Sequence, residues 1–326
     1  DWDELDTISD VALSRMTNFG DGETYWCVPY GIYQMLLFYR KDLLADAGIE
    51  APDVWTFENI YEIGKQITDP DKGVYGFALR GGTRGFNCYD RTLFSYLSDD
   101  VWVENESYRA FTKDGGCVYR LPEAKEALEF YKRVYEDISP KDSVSWGFTE
   151  MVQGFMSGTC AILIQDNDVI ATIEDGLDPE LWGVGNIPIG TSGFGTQTAG
   201  YGGWAMTAKT QYPEETAKFI KFLSNAENNG YFCRQNGLIP IHTTSIEQDE
   251  YFSSGAYTIF NKMNDLGCYR IFNNLGIGYD ITATFNNDRD EYLQKYLLGE
   301  VDADTLLDYW ASQWEKAVAD QGKLWE

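Results

Sequence analysis

Residues 201–223 constrain the fold most. Tyr201-Gly202-Gly203-Trp204-Ala205-Met206-Thr207 is a short apolar run led by two glycines, the pattern of a buried strand. After a turn, Pro213 stands where a helix begins and costs no hydrogen bond there. Ala217, Ile220 and Leu223, with Phe219 beside them, then recur at helical spacing. The same alternation runs through the chain. Val74–Leu79, Cys160–Ile164 and Trp182–Ile187 read as strands. Helices are expected from Thr56, whose side chain suits a cap, with Ile60, Ile63 and Ile67 inward, and from Pro122 and Thr149. Two more close the chain, the last with Leu306, Trp310 and Trp314 in phase. Such alternation predicts an α/β fold with parallel-dominated sheets, flanking helices, and ligands outside the strand C-termini. Pro29 and Gly31 predict two extended pieces joined by a bend within Tyr25–Tyr39. Arg80–Asn87 reads as a glycine-rich loop, and 99–120 as a surface excursion with a small hairpin.

A chain of 326 residues has room for two domains. Its 52 acidic against 25 basic residues give a net charge of -27, which argues against nucleic acid and anionic membrane surfaces as partners. The six cysteines show no CxxC spacing and read as free thiols, with a Cys88–Cys117 pair left open. A single histidine, His242, rules out a multi-histidine metal site and is expected at the surface or near a hinge. The longest apolar stretch is broken by Gly31, Gln34 and Arg40, too short to span a membrane.

No GxSxG, HExxH or phosphate loop ending in GK[ST] is present, so no catalytic residue, cofactor or metal is expected. Trp204 beside glycines offers a flat apolar wall that a ligand can approach; a core tryptophan next to a turn is the alternative. Gln165-Asp166-Asn167-Asp168 closes a strand. Its carboxylates and amides suit sugar hydroxyls, while a solvated loop or an acid–base pair are the other readings. The aromatic set Tyr25, Trp26, Tyr30, Tyr33, Trp146, Trp204 and Phe285 recurs at strand ends and loop edges; flat side chains there suit the apolar faces of sugar rings, while about half of the set is expected to be core.

Several stretches together resemble one family, the extracellular solute-binding proteins of carbohydrate ABC importers, the maltose-binding-like group. They are Val28-Pro29-Tyr30-Gly31 running into Leu37-Phe38-Tyr39-Arg40-Lys41-Asp42-Leu43, Ala47-Gly48-Ile49, and Trp55-Thr56-Phe57-Glu58. Gly73-Val74-Tyr75-Gly76-Phe77-Ala78, Phe155-Met156-Ser157-Gly158-Thr159-Cys160-Ala161, Gly202-Gly203-Trp204 and Tyr296-Leu297-Leu298-Gly299-Glu300 follow in the same order. The resemblance implies a two-lobe, class II periplasmic-binding-protein-like fold that clamps a carbohydrate, an oligosaccharide first, in an interlobe cleft. Three crossings would fall near Tyr30–Tyr33, Gly203–Ala205 and Pro240–Thr243, giving a smaller lobe of 1–31 plus 204–240 and a larger one of 32–203 plus 241–326. Carried over residue by residue, the ligand-binding positions would be Tyr33, Arg80, Asn87, Asp166, Asp168, Trp204, Phe285 and Asn286. Many relatives have an aromatic where Asp168 stands, which implies more hydrogen bonding at that subsite. The implied partners are the sugar and the permease subunits of an importer, with the protein monomeric when complete, and extracellular, lipid-anchored at the cell surface or periplasmic. A carbohydrate-active enzyme on an α/β scaffold is the alternative function.

One departure carries an expectation of its own. Family members begin with a strand–helix–strand–helix segment ahead of the Val-Pro-Tyr-Gly motif, which this sequence lacks. A longer chain or a separate fragment is therefore expected to complete the smaller lobe. Without it, the apolar faces that include Val28, Phe219, Ile220 and Phe222 would lack a sheet to pack on.

Overall fold

The computed structural model describes residues 2–17, 24–103, 108–271 and 278–325. In chain order its elements are α1 (Asp10–Met16), β1 (Val28–Arg40), α2 (Lys41–Asp46), α3 (Phe57–Ile67), β2 (Tyr75–Phe77), α4 (Gly85–Tyr96) and α5 (Pro122–Ile138). There follow α6 (Phe148–Met156), β3 (Cys160–Asp166), α7 (Val169–Gly176), β4 (Trp182–Gly185), β5 (Gly195–Gln197) and β6 (Ala199–Trp204). The rest is α8 (Pro213–Ser224), α9 (Ala226–Gln235), α10 (Thr243–Gln248), α11 (Thr258–Leu266), β7 (Tyr269–Ile271), α12 (Thr282–Leu297) and α13 (Ala303–Gln321).

Local chemistry sets most helix starts. Thr56 and Asn59 satisfy each other's backbone N–H at the head of α3, a reciprocal cap. Pro122 and Pro213 open α5 and α8 at positions where a missing N–H costs nothing. Arg84, in the left-handed region at φ 66°, turns the chain into α4, and the Asp290 carboxylate accepts from the N–H groups of Arg84 and Phe86. The stretch Arg80–Asn87, expected to be a loop throughout, therefore contains the first turn of α4.

β1 is one strand, not two pieces joined by a bend. A bulge between Pro29 and Gly31 absorbs the proline, so the antiparallel pairing with β6 continues from Val28↔Trp204 to Gln34↔Ala199. Further along, Leu37–Arg40 pairs antiparallel with Trp182–Gly185. β2 pairs parallel with β3, and β5 with β7. The strand order is β2-β3-β1-β4, with β6 also on β1. The fold is α/β as expected, but its pairing is mixed where the sequence pattern predicts mostly parallel sheets.

The chain divides into two units: 1–35, 165–177 and 198–262 form the first, and 36–164, 178–197 and 263–326 the second. This corrects the expected boundaries. Residues 165–177 and 241–262 belong with the first unit, and the chain passes between units five times, not three. The reason for the first correction is Asn167, buried in the first unit. Its Oδ1 accepts from Gln34 N–H at 2.8 Å, its Nδ2 donates to the Gly237 carbonyl at 2.8 Å, and its own N–H donates to the Gln34 carbonyl at 2.9 Å. One amide thus ties three distant segments of sequence together. Asn229 does similar work, donating to the Tyr30 carbonyl and accepting from Ile241 N–H.

His242 is fully buried in the first unit, not at its surface. Its Nε2–H donates to the Ser224 carbonyl and its Nδ1 lies 2.7 Å from Thr7 Oγ1. Val28 packs against Ile8, Ala12, Met16 and Ile241. The outer face of α8 is open, with Phe219 and Phe222 each 59 % exposed, whereas Val28, expected among the residues without packing, is packed and Ile220 is half-buried.

The second unit has an aromatic core. α13 repeats Leu306, Trp310, Trp314 and Ala317 at helical spacing, and both tryptophans are fully buried. Phe86 meets Trp310 edge-on at 4.7 Å, and Phe285 lies 4.9 Å from Trp314. The six cysteines are free, Cys117, Cys160 and Cys233 among the buried side chains; Cys88 and Cys117 form no bridge.

Candidate functional site

The first unit carries a ledge built from alternate positions of β6. With a strand period of two, Gly200, Gly202 and Trp204 share one face. Tyr33 of β1 stands opposite Gly200, its Cβ in ordinary contact distance of where a Gly200 side chain would begin. Tyr30 lies over Gly202, where any Cβ would overlap its ring. The two glycines thus leave room for tyrosines to lie across the strand toward Trp204. Tyr30 and Trp204 are 5.1 Å apart between ring centroids, and Phe232 of α9 completes the group at 5.5 Å from Tyr30 and 6.2 Å from Trp204. The Tyr30 and Tyr33 hydroxyls are 3.4 Å apart. Tyr30, Tyr33 and Trp204 are all half-buried, so each keeps some surface free.

Carboxylates border this group. β3 ends at Asp166, the Asn167 amide pins the turn, and Asp168 stands at the head of α7. Asp168 Oδ1 is buried and has no hydrogen-bond partner among the described residues. Burial first, then the negative charge of Asp166, push the Asp168 carboxyl up to about 7, against the pull of the Val169 backbone N–H. The Tyr33 phenol is pushed well up by burial, by its bond to Tyr30, and by the charges of Asp168 and Asp166. Both carboxylates therefore act on Tyr33 from close by. This is a surface of flat rings with acceptor oxygens beside them, suited to a molecule with an apolar face and polar edges.

Of the eight sequence-derived positions, Tyr33, Asp166, Asp168 and Trp204 lie in the first unit, and Arg80, Asn87, Phe285 and Asn286 in the second. Arg80 is half-buried, its Nε–H donating to the Thr83 carbonyl. It lines a small cavity of about 30 Å³ with Phe77, Cys88 and Tyr131, a space on the scale of a few waters. Asn87 is half-buried in α4, and Asn286 is exposed on α12. Phe285, expected as a stacking wall, is 3 % exposed and enclosed by Phe86, Tyr119 and Trp314, which leaves no face for a ligand. Phe232 was not foreseen. It sits inside a polar helix, and its ring meets Trp204 only through the fold.

The chain belongs to the bacterial extracellular solute-binding proteins: the family's model matches residues 1–258. Among curated proteins it is similar to the putative ABC transporter periplasmic-binding protein YcjN of Escherichia coli K12, 26% identical over 218 residues, which is 66% of this chain and 46% of that protein. It is also similar to the mannitol-binding protein of Pseudomonas aeruginosa, 31% identical over 144 residues, 43% of this chain and 31% of that one. The chain thus spans about half or less of the length of these relatives. Among solved structures it matches maltose-bound MalE3 of T. maritima with a TM-score of 0.78 at 20% identity, covering 96% of this chain and 77% of that one. That likeness establishes the two-lobe, maltose-binding-like fold. The family is one of extracellular or periplasmic binding proteins rather than enzymes.

Proposed function

We propose that this chain is a carbohydrate- or polyol-binding component of an ABC importer, and that the Trp204–Tyr30–Tyr33 ledge with Asp166 and Asp168 contacts the ligand. The observation that carries the reading is Asp168 Oδ1, a buried acceptor without a partner, bordering half-open aromatic rings. A buried acceptor left unbonded is costly, and the half-exposed Asp168 side chain relieves that cost by turning to meet a ligand hydroxyl. The family match and the likeness to a mannitol-binding protein and to a maltose-bound structure support the same ligand class. Hydroxyls bond the carboxylates directly in this reading, with no metal between them. Titration calorimetry against mannitol, maltose and longer malto-oligosaccharides tests it, with chromatography of the same samples for products. Saturable heat, no product and unchanged affinity in EDTA are expected. Turnover, or the absence of binding across the whole panel, refutes it.

A further inference from the structure

Two carboxylates in this molecule, Asp90 fully buried and Asp168 half-buried, have contrasting surroundings. Asp90 in the second unit is 1 % exposed, and burial pushes its carboxyl well up, but it accepts from the Tyr119 hydroxyl at 2.9 Å and has the positive charges of Arg289 and Arg91 beside it, with Asp290 opposing them. It is a finished structural group. Asp168 has a buried oxygen without a hydrogen bond, and the side-chain charge acting on it is the like charge of Asp166. What it lacks is what Asp90 has: a side-chain donor and a positive charge beside it. The neighbouring rings of Tyr33, Tyr30 and Trp204 add to the same demand, because aromatic faces are electronegative and attract cations. The whole chain, at -27, reinforces it.

We infer that the preferred ligand is an amino sugar, its ammonium paired with the Asp168 carboxylate and its ring laid against the Trp204–Tyr30 group. The inference rests on the carbohydrate-binding reading above and narrows it. A hydroxyl meets the need of Oδ1 for a donor but leaves the charge unanswered. An ammonium supplies donor and charge together, and charge-assisted bonds of this kind are shorter and stronger than neutral ones. The same two carboxylates repel a phosphorylated sugar. No bond to the ligand is made or broken; the step is association alone.

The test compares three ligands that differ at one substituent: glucosamine, N-acetylglucosamine and glucose, together with their β-1,4-linked disaccharides. Calorimetry on the whole chain should find each amino form binding at least about tenfold tighter than its acetylated and parent forms. Raising salt from about 0.05 M to about 0.5 M should erode that preference selectively, since screening acts on the charge and not on stacking. In Asp168→Asn the preference should shrink to about threefold or less while thermal unfolding stays cooperative. Asp166→Asn provides a second variant should the first fold poorly, and it should reduce the preference in the same direction. Equal or tighter binding of the parent sugars overturns the inference and leaves carbohydrate binding standing. Binding of mannitol or maltose with no amino-sugar preference does the same. If no saccharide or polyol binds, the inference and the reading beneath it fall together.

Discussion

In the second unit Trp310 has Phe86, Tyr89 and Tyr119 within 5.7 Å and no exposure to water. In the first, Trp204 has Tyr30 and Phe232 on its flanks and stays partly open. The contrast extends to how each unit is held. The second buries a continuous set of large rings. The first relies on single polar side chains that bind backbone from remote segments: Asn167, Asn229 and His242. It also leaves Tyr25, Trp26, Tyr212, Phe219, Phe222 and Tyr231 more than half exposed. The lesson is that aromatic content alone does not measure a core. Rings that meet other rings stabilise a fold, and rings left half-open are available for recognition.

The largest expected effect lies in the ring core. Trp310→Ala should cost about 3–5 kcal/mol in denaturant unfolding, as large-to-small changes do at fully packed sites. Phe219→Ala, on the open face of α8, should fall within about 0.5 kcal/mol of the parent. Similar losses from both would erase the distinction between the units. Asn167→Ala should cost on the order of 2–3 kcal/mol, because it orphans the Gln34 N–H and the Gly237 carbonyl at once. Hydrogen exchange at Gln34 would report it, and unchanged protection there would mean that packing, not the amide, holds this part of the first unit.

Trp204→Ala should weaken ligand binding by about 2 kcal/mol or more while the fold survives, the behaviour of an aromatic hot spot. If the variant unfolds and refolded material binds normally, Trp204 belongs to the core. A smaller effect, and one of opposite sign, concerns Asp168. A carboxyl raised from 3.8 to about 7 in the fold favours its neutral form. Its cost to stability is therefore absent near pH 4, grows as pH climbs toward 7, and is complete above that. Asp168→Asn removes the cost, so it should stabilise the protein by roughly 1–2 kcal/mol at pH 8 after allowance for solvent screening, and by nothing near pH 4. Denaturation midpoints of both proteins at the two pH values check the sign. A loss of stability at pH 8 would show that ionised Asp168 is held by a favourable contact.

Much of this was legible in the sequence where the cause is local. The Thr56 cap, the prolines that open α5 and α8, and the phase of Leu306, Trp310 and Trp314 each follow from residues a few positions apart. Glycines beside an aromatic at a strand end mark a place where something large comes close; at Gly202 it is the protein's own Tyr30 ring, a distinction from a ligand that the sequence does not carry. Failures came where the deciding partner is far along the chain. His242 is buried because Thr7 and Ser224 supply its hydrogen bonds. Residues 165–177 join the first unit through Asn167, whose partners at 34 and 237 have no sequence signal. Phe285 fits a strand-end pattern equally well inside or outside a core, and the rings of Phe86 and Trp314 decided the matter.

β1 has a consequence for how this sequence can change over generations. Val28–Gln34 is registered on β6 and Leu37–Arg40 on β4, all within one strand. Alternate side chains point to opposite faces, so parity is transmitted along its length. Within the first unit, losing or gaining one residue between Gly31 and Tyr33 would slip the pairing with β6 by one and turn Tyr33 from the face it shares with Gly200. Within the second, the same change between Leu37 and Phe38 would turn the fully buried Phe38 out of its core. Descendants can exchange side chains along each half but cannot alter its count by one. Each half is a ruler that selection must leave uncut.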